Sequence, residues 1–274
     1  MKKISALEIF TKAFYFTFSS FDLIFLIFLI IGMASAIPLS ILHFYLFRMI
    51  EIVDEISSIS VPPGEQGIVL RDNFLIPSIG ISIFLFLVSV LCMTIAYLYV
   101  FSKRGRKVDL LKIICNVKDY YVGMLILSLI NFSIFLILKI PSLIPFYGNH
   151  ISVILTIISF FILLAIALYI HLRLSLSFPI YLERKNVIES LKESWKLMKG
   201  NVFKLFLILV LIILIGFGLS FVGTSILLRF LERVVGEIGF LIIFSFILSF
   251  ILSISIVLAT SAYTFFYFKL KGKK

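Results

Sequence analysis

Residues 151–186 read ISVILTIISFFILLAIALYIHLRLSLSFPIYLERKN. No residue from Ile151 to Leu172 carries a formal charge, and after Arg173 the next charge is Glu183. A stretch of this length crosses a hydrocarbon core of about 30 Å as a helix, because each residue rises about 1.5 Å. Continued to Leu182 it would rise about 48 Å, well beyond that core, so part of it must bend or lie outside. Pro179 has no amide to donate and marks the bend, which turns the chain from Ser175 onward toward the membrane surface.

The rest of the chain follows the same pattern. Of 274 residues, 62% are hydrophobic and 14% charged, too little polar surface for a chain that meets water all round. Six apolar segments are long enough to span, at about 22–46, 74–101, 121–140, 151–182, 202–229 and 238–268. They leave no room for a separate soluble domain, so residues 1–274 read as a single all-α membrane domain. The tripeptide ASA at 34–36 resembles a signal cleavage site, but the preceding leader contains Glu8 and Asp22 and the apolar run continues past Pro38, so the first segment reads as a retained span.

The gaps between segments sort by charge. One set carries Lys2, Lys3 and Lys12, then the cluster from Lys103 to Lys118, then Arg184, Lys185, Lys192, Lys196 and Lys199, and finally Lys269, Lys271, Lys273 and Lys274. The alternate gaps carry few cations. The positive-inside rule then puts both termini on the cytoplasmic side of a cell membrane. The net charge of +11 belongs to this collar, which faces anionic lipid headgroups. It does not point to nucleic acid, because the 31 Phe lie in apolar runs and are not interleaved with a basic face. The alternate gap from Arg48 to Asp72 is the longest, with a turn at VPPGEQG.

Short amphipathic segments precede three of the spans. In NVIESLKESWKLMKG, residues 186–200, Ile188, Leu191, Trp195 and Met198 recur at helical spacing, with Glu189, Lys192, Glu193, Lys196 and Lys199 on the other face. Asn186 caps the start with Glu189 three residues on, and Gly200 suits the exit before Asn201. This describes a helix lying in the interface with Trp195 at headgroup depth. Ile4, Leu7, Phe10, Phe14 and Phe18 mark a similar face, as do Val108, Leu111, Ile114 and Cys115. The order of amphipathic helix, span, outer loop and span thus occurs three times. Pairing TIAYLYVFSKRGRK from Thr94 with TSAYTFFYFKLKGKK from Thr260 supports three degenerate internal repeats.

The run from Leu172 to Leu209, LRLSLSFPIYLERKNVIESLKESWKLMKGNVFKLFLIL, resembles a multi-pass membrane domain attached to some bacterial glycerophosphoryl diester phosphodiesterases and also found alone in prokaryotic, archaeal-type membrane proteins. The recurrent positions correspond here to Arg173, Pro179, Glu183, Ser190 or Ser194, Leu197, Gly200 and Asn201. The resemblance implies an architecture only. In the fused proteins the hydrolytic work belongs to a soluble domain, so no catalytic residue carries over.

The residues themselves offer few chemical sites. Arg173 reads either as a pin at the inner membrane boundary, snorkelling to lipid phosphates, or as an anion contact facing the bundle, since a guanidinium fork suits phosphate or carboxylate. A bend at Pro179 would bring Glu183 nearer to it. Lys204 and Asp22 lie at the inner ends of their spans as boundary anchors, with Lys204 a second candidate anion contact. Asn131 and His43 are expected to bond to neighbouring helices. Glycines and serines at 216–220, Ser249 with Ser253, and Ser255 with Ala259 mark close helix contacts. Cys92 and Cys115 stand apart, no His pair has metal spacing, and no catalytic serine, aspartate, zinc or nucleotide motif occurs, so no metal, cofactor or enzymatic activity is expected. Two functions remain open: binding or moving a small or lipid-like anion, and a non-catalytic scaffold or accessory subunit for membrane organisation or for a partner membrane protein or enzyme.

Overall fold

A computed structural model of the protein describes residues 5–34, 63–103, 109–136 and 150–272. Among them every element is a helix: α1 Ala6–Phe18, α2 Phe21–Ala34, α3 Pro63–Ser102, α4 Leu110–Leu136, α5 His150–Leu174, α6 Ser177–Arg184, α7 Val187–Leu197 and α8 Val202–Lys271. Five stretches have the length and apolarity of spans: Ile79–Ser102, Leu110–Ile134, Ile157–Arg184, Val202–Val222 and Phe246–Lys271. The pair α1 and α2, bent by 73°, makes a sixth if counted as one. The first expected span, 22–46, is described only to Ala34, and His43 lies outside the described residues.

Three boundaries differ from the sequence reading. VPPGEQG was expected to be a turn, yet helix begins at Pro63 within it; proline suits the first turn of a helix, where its missing amide has no partner to lose. The segment before the third expected span does not form a separate interfacial helix, since α4 runs unbroken from Leu110 to Leu136. The fifth and sixth spans share one run of helical backbone, Val202–Lys271. That run reverses nonetheless. A Cβ at Gly216 would sit 3.3 Å from Ser255 Oγ, whereas a straight helix would hold the two residues about 58 Å apart. Two of the small-residue positions read as close helix contacts, Gly216 of GFGLS and Ser255, thus meet each other between the two halves of α8.

Helices α1, α4 and α7 start alike. Ser5 Oγ accepts from Glu8 N (3.4 Å), Asp109 Oδ1 from Leu111 N (3.0 Å) and Asn186 Oδ1 from Glu189 N (3.1 Å). Four and eight positions after these caps the residues are buried in all three: Ile9 and Ala13, Ile113 and Val117, Ser190 and Ser194. In α1 and α7 the stripe continues one turn on to Thr17 and Met198. Large apolar side chains at other angles stay exposed, among them Leu7, Phe14 and Phe18 on α1 and Ile188 and Trp195 on α7. Of the face expected on α7, Met198 is buried, Leu191 is half-buried, and Ile188 and Trp195 lie open.

The core is densest at the basic end. From Val90 to Val100 nearly every residue of α3 is buried, Tyr97 stacking on Phe178 of α6 at 5.6 Å. Tyr263, Phe266 and Tyr267 fill the end of α8, and α1 lies across it with Phe16 edge-on to Phe265. Toward the opposite ends, α5 and the first half of α8 expose Phe161, Ile162, Ile213, Leu214 and Phe217. Such contiguous apolar surface requires a nonaqueous neighbour. This is a multi-pass helical membrane protein.

Candidate functional site

The site is built where α5 stops. Leu174 is its last residue, and α6 opens at Ser177 with Pro179 as its third. The first turn of a helix has no intrahelical acceptor for its amides, so proline costs nothing there but bars continuation of α5. The break falls at Ser175 and Leu176, as the proline required.

Ending a helix in apolar surroundings strands its last carbonyls. Here two helix ends satisfy each other. Ser194 Oγ, on fully buried Ser194 of α7, donates to the Arg173 carbonyl of α5 at 2.8 Å, while Arg173 Nη1 donates to the Trp195 carbonyl in the last turn of α7 at 2.7 Å. Arg173 Nε donates to Tyr169 Oη at 3.1 Å, and the guanidinium lies 4.5 Å over the Trp195 ring and 5.4 Å from that of Tyr169. A charged donor on a carbonyl is worth about 1.5–3 kcal/mol and each cation–π contact about 0.5–1 kcal/mol at an exposed site. Arg173 thus closes the C-terminus of α7 with its cation on the negative end of the helix dipole.

Glu183 does not meet Arg173. It accepts from Tyr267 Oη and from Lys271 Nζ, tying α6 to the end of α8. Arg184 reaches forward to Glu193 at 2.6 Å and Glu189 at 3.7 Å on α7. Lys185 takes the left-handed conformation, φ 54°, as the α6 cap, and its ammonium lies 4.6 Å over the ring of Tyr120. Gly200, φ +78°, makes the turn from α7 into α8, for which glycine carries no steric cost. Asn201 Nδ2 donates to the Leu197 carbonyl at 3.3 Å and its Oδ1 accepts from Lys204 Nζ at 3.4 Å. Asn131 bonds within its own helix, Nδ2 to the Leu127 carbonyl at 2.9 Å, where a neighbouring helix was expected; the i−4 carbonyl is within reach of a short amide side chain.

Beneath α6, Tyr181 lies directly on the backbone of α4. A Cβ at Gly123 would come within 2.0 Å of the Tyr181 ring. Only glycine permits that approach.

The other side of the basic end uses ion pairs. Glu8 accepts from Lys12 at 3.0 Å and from Lys269 of α8 at 2.9 Å. The hydrogen bond from Lys269, then that from Lys12, hold its carboxyl down at about 2. Lys103 donates to Ser20 Oγ and Tyr99 Oη, both at 2.9 Å, and Tyr99 Oη donates to Asp22 Oδ2 at 3.1 Å. Asp22 and Lys103 therefore fix the α1–α2 corner to α3.

One pattern escaped the sequence reading. Tyr99 with Lys103, Tyr181 with Lys185 and Tyr267 with Lys271 place a tyrosine one helical turn before a lysine at the basic ends of α3, α6 and α8. The Thr94–Thr260 alignment hid it, because the third pair falls two positions late in that register. A search for Tyr and Lys four apart at the close of each apolar run would have found all three.

The helices and their apolar surface define a polytopic membrane domain with a structured basic end. Residues 150–273, the whole of α5 to α8, match the family model for the membrane domain of glycerophosphoryl diester phosphodiesterase. That is the family whose resemblance the Arg173–Asn201 region carries. No curated protein and no solved structure matches the chain. Among the described residues no group of three or more His, Cys, Asp or Glu could hold a metal.

Proposed function

We propose that the protein is a non-catalytic membrane scaffold: a six-span bundle in the cell membrane, both termini cytoplasmic, whose short helices α1 and α7 lie in the headgroup region and organise lipid or a partner protein there. One observation carries this reading. The Arg173 guanidinium is committed to a backbone carbonyl, a tyrosine hydroxyl and an indole face, the bonding of a structural clasp. The exposed Ile188 and Trp195 of α7 beside Lys192 and Lys199 support burial of that face among lipid headgroups. The shared cap-plus-four, cap-plus-eight burial supports three degenerate repeats, the second of which carries this stripe in the first turns of α4.

The test is native mass spectrometry of the purified protein beside Arg173→Leu, with thermal melts of both. The scaffold reading expects the same small-anion adducts in each and a lower melting temperature in the variant. An adduct lost with Arg173 at unchanged stability would overturn it in favour of the second reading, an anion-binding or transporting site. That alternative draws on an open cleft of about 300 Å³ lined by Arg184, Lys192 and Lys196, but Glu189 and Glu193 line it too and offset most of the charge.

A further inference from the structure

A groove of about 480 Å³ opens on the side of the bundle between α2, α3 and α4, away from the Arg173 clasp. Its walls are Ile30 of α2, Leu91 and Ile95 of α3, and Ile114, Val117, Lys118 and Tyr121 of α4. Five of these seven are aliphatic. Tyr121 Oη is already spent, donating to the Leu87 carbonyl at 3.0 Å. Lys118 is different: it is exposed and forms no ion pair among the described residues.

The depth of Lys118 fits a headgroup. The 27 residues of α4 rise about 40 Å, some 10 Å more than a hydrocarbon core, and Lys118 stands about 12 Å from the Leu110 end. An ammonium at that boundary meets lipid phosphates, while Ile30, Leu91 and Ile95 on the facing helices offer an apolar wall to an acyl chain. The volume lies within the ~300–1,000 Å³ of small-molecule sites. We infer that this groove is a phospholipid site that prefers an anionic headgroup, with an acyl chain along Ile30, Leu91 and Ile95 and the phosphate paired to Lys118 Nζ. Charge complementarity selects the occupant, since a cation with no ion pair among the described residues, beside an apolar cleft, matches one anion above a hydrocarbon chain. The inference is independent of the clasp and of the scaffold reading.

Delipidated protein in detergent is titrated with phosphatidylglycerol and with phosphatidylcholine of the same acyl chains, and adducts are counted by native mass spectrometry. The wild type is expected to take up the first phosphatidylglycerol at a several-fold lower concentration than phosphatidylcholine. Lys118→Gln should remove that preference and leave phosphatidylcholine binding unchanged. Leu91→Trp, which fills the cleft, should weaken both, with circular dichroism checking that each variant is folded. Excess glycerol 3-phosphate, which has no acyl chain, should not displace the lipid. Equal affinity for the two lipids in the wild type, a preference that survives in folded Lys118→Gln, or displacement by glycerol 3-phosphate would each overturn the proposal.

Discussion

Helices α1 and α7 each lie before a span and bury residues four and eight positions after their caps, yet the contacts added to that packing differ. Helix α7 is fastened by hydrogen bonds between backbone carbonyls and buried or aromatic-flanked side chains, Ser194 to Arg173 and Arg173 to Trp195. Its neighbour α6 sits on Gly123 with no space between. Helix α1 is fastened to α8 by a solvent-facing ion pair, Glu8 with Lys269, and by the edge of Phe16. Carbonyl clasps and close packing resist salt and pH, whereas exposed ion pairs are screened. Helix α7 carries exposed ion pairs as well, Arg184 with Glu189 and Glu193, and α1 also packs through buried Ile9, Ala13 and Thr17, so the carbonyl clasp is what should leave α7 the less sensitive of the two to salt and pH.

The comparison breaks most directly at Gly123. Gly123→Ala forces the Tyr181 ring off α4 and should destabilise the protein by about 3 kcal/mol, the upper range for overpacking. Loss of the α6 seat should also loosen α7, seen as faster hydrogen exchange over 187–197 with α1 unchanged. Equal loosening of α1 would mean that the two regions unfold as one unit. Next in size, Arg173→Leu should cost about 2 kcal/mol through one charged hydrogen bond and its ring contacts. Arg173→Lys should recover less than half of that, because an ammonium cannot bond Trp195 O and Tyr169 Oη with a planar fork. A melt that ranks lysine equal to arginine would make the geometry of the clasp irrelevant.

Much of this was legible in the sequence, and the exceptions share a cause. Apolar length places spans because lipid leaves the backbone few alternatives. The break before Pro179, the Asn186 cap and the Gly200 turn were readable because each rests on backbone chemistry local to one residue. The packed faces of α1 and α7 were not, since Ala13, Thr17, Ser190 and Ser194 are too small to register as apolar, while the conspicuous Phe14, Ile188 and Trp195 point outward. In a membrane protein small residues mark the protein side and large ones the lipid side. Partner choice was equally hidden: Glu183 lies near Arg173 in sequence but bonds Tyr267 and Lys271, over eighty residues away. The second amphipathic segment merged into α4 because nothing between Leu110 and Leu136 breaks a helix, Gly123 alone being too weak a signal.

The smaller tests sharpen the contrast between the clasps. Ser194→Ala removes one hydrogen bond to a carbonyl and should cost about 1 kcal/mol. Combined with Arg173→Leu it should cost less than the sum of the two, since both close the same pair of helix ends. Strict additivity would show two separate contacts instead of one reciprocal clasp.

The last test concerns α1 and depends on pH. Glu8 titrates near 4.5 when free of its partners and at about 2 when paired, so the folded form holds the proton more weakly. Its contribution is therefore complete above pH 4.5 and is lost as pH falls toward 2. Hydrogen exchange over 6–18 should speed up across that window by more than over 187–197, where the carbonyl clasp remains after the Arg184 ion pairs with Glu189 and Glu193 weaken. Glu8→Gln should show the faster exchange at neutral pH and little further change on acidification. Raising salt to about 1 M, where the screening length is about 3 Å, should move wild-type α1 in the same direction as the variant. If acid and salt loosened α7 as much as α1, or neither, the difference between carbonyl clasp and ion pair would not govern how the basic end opens.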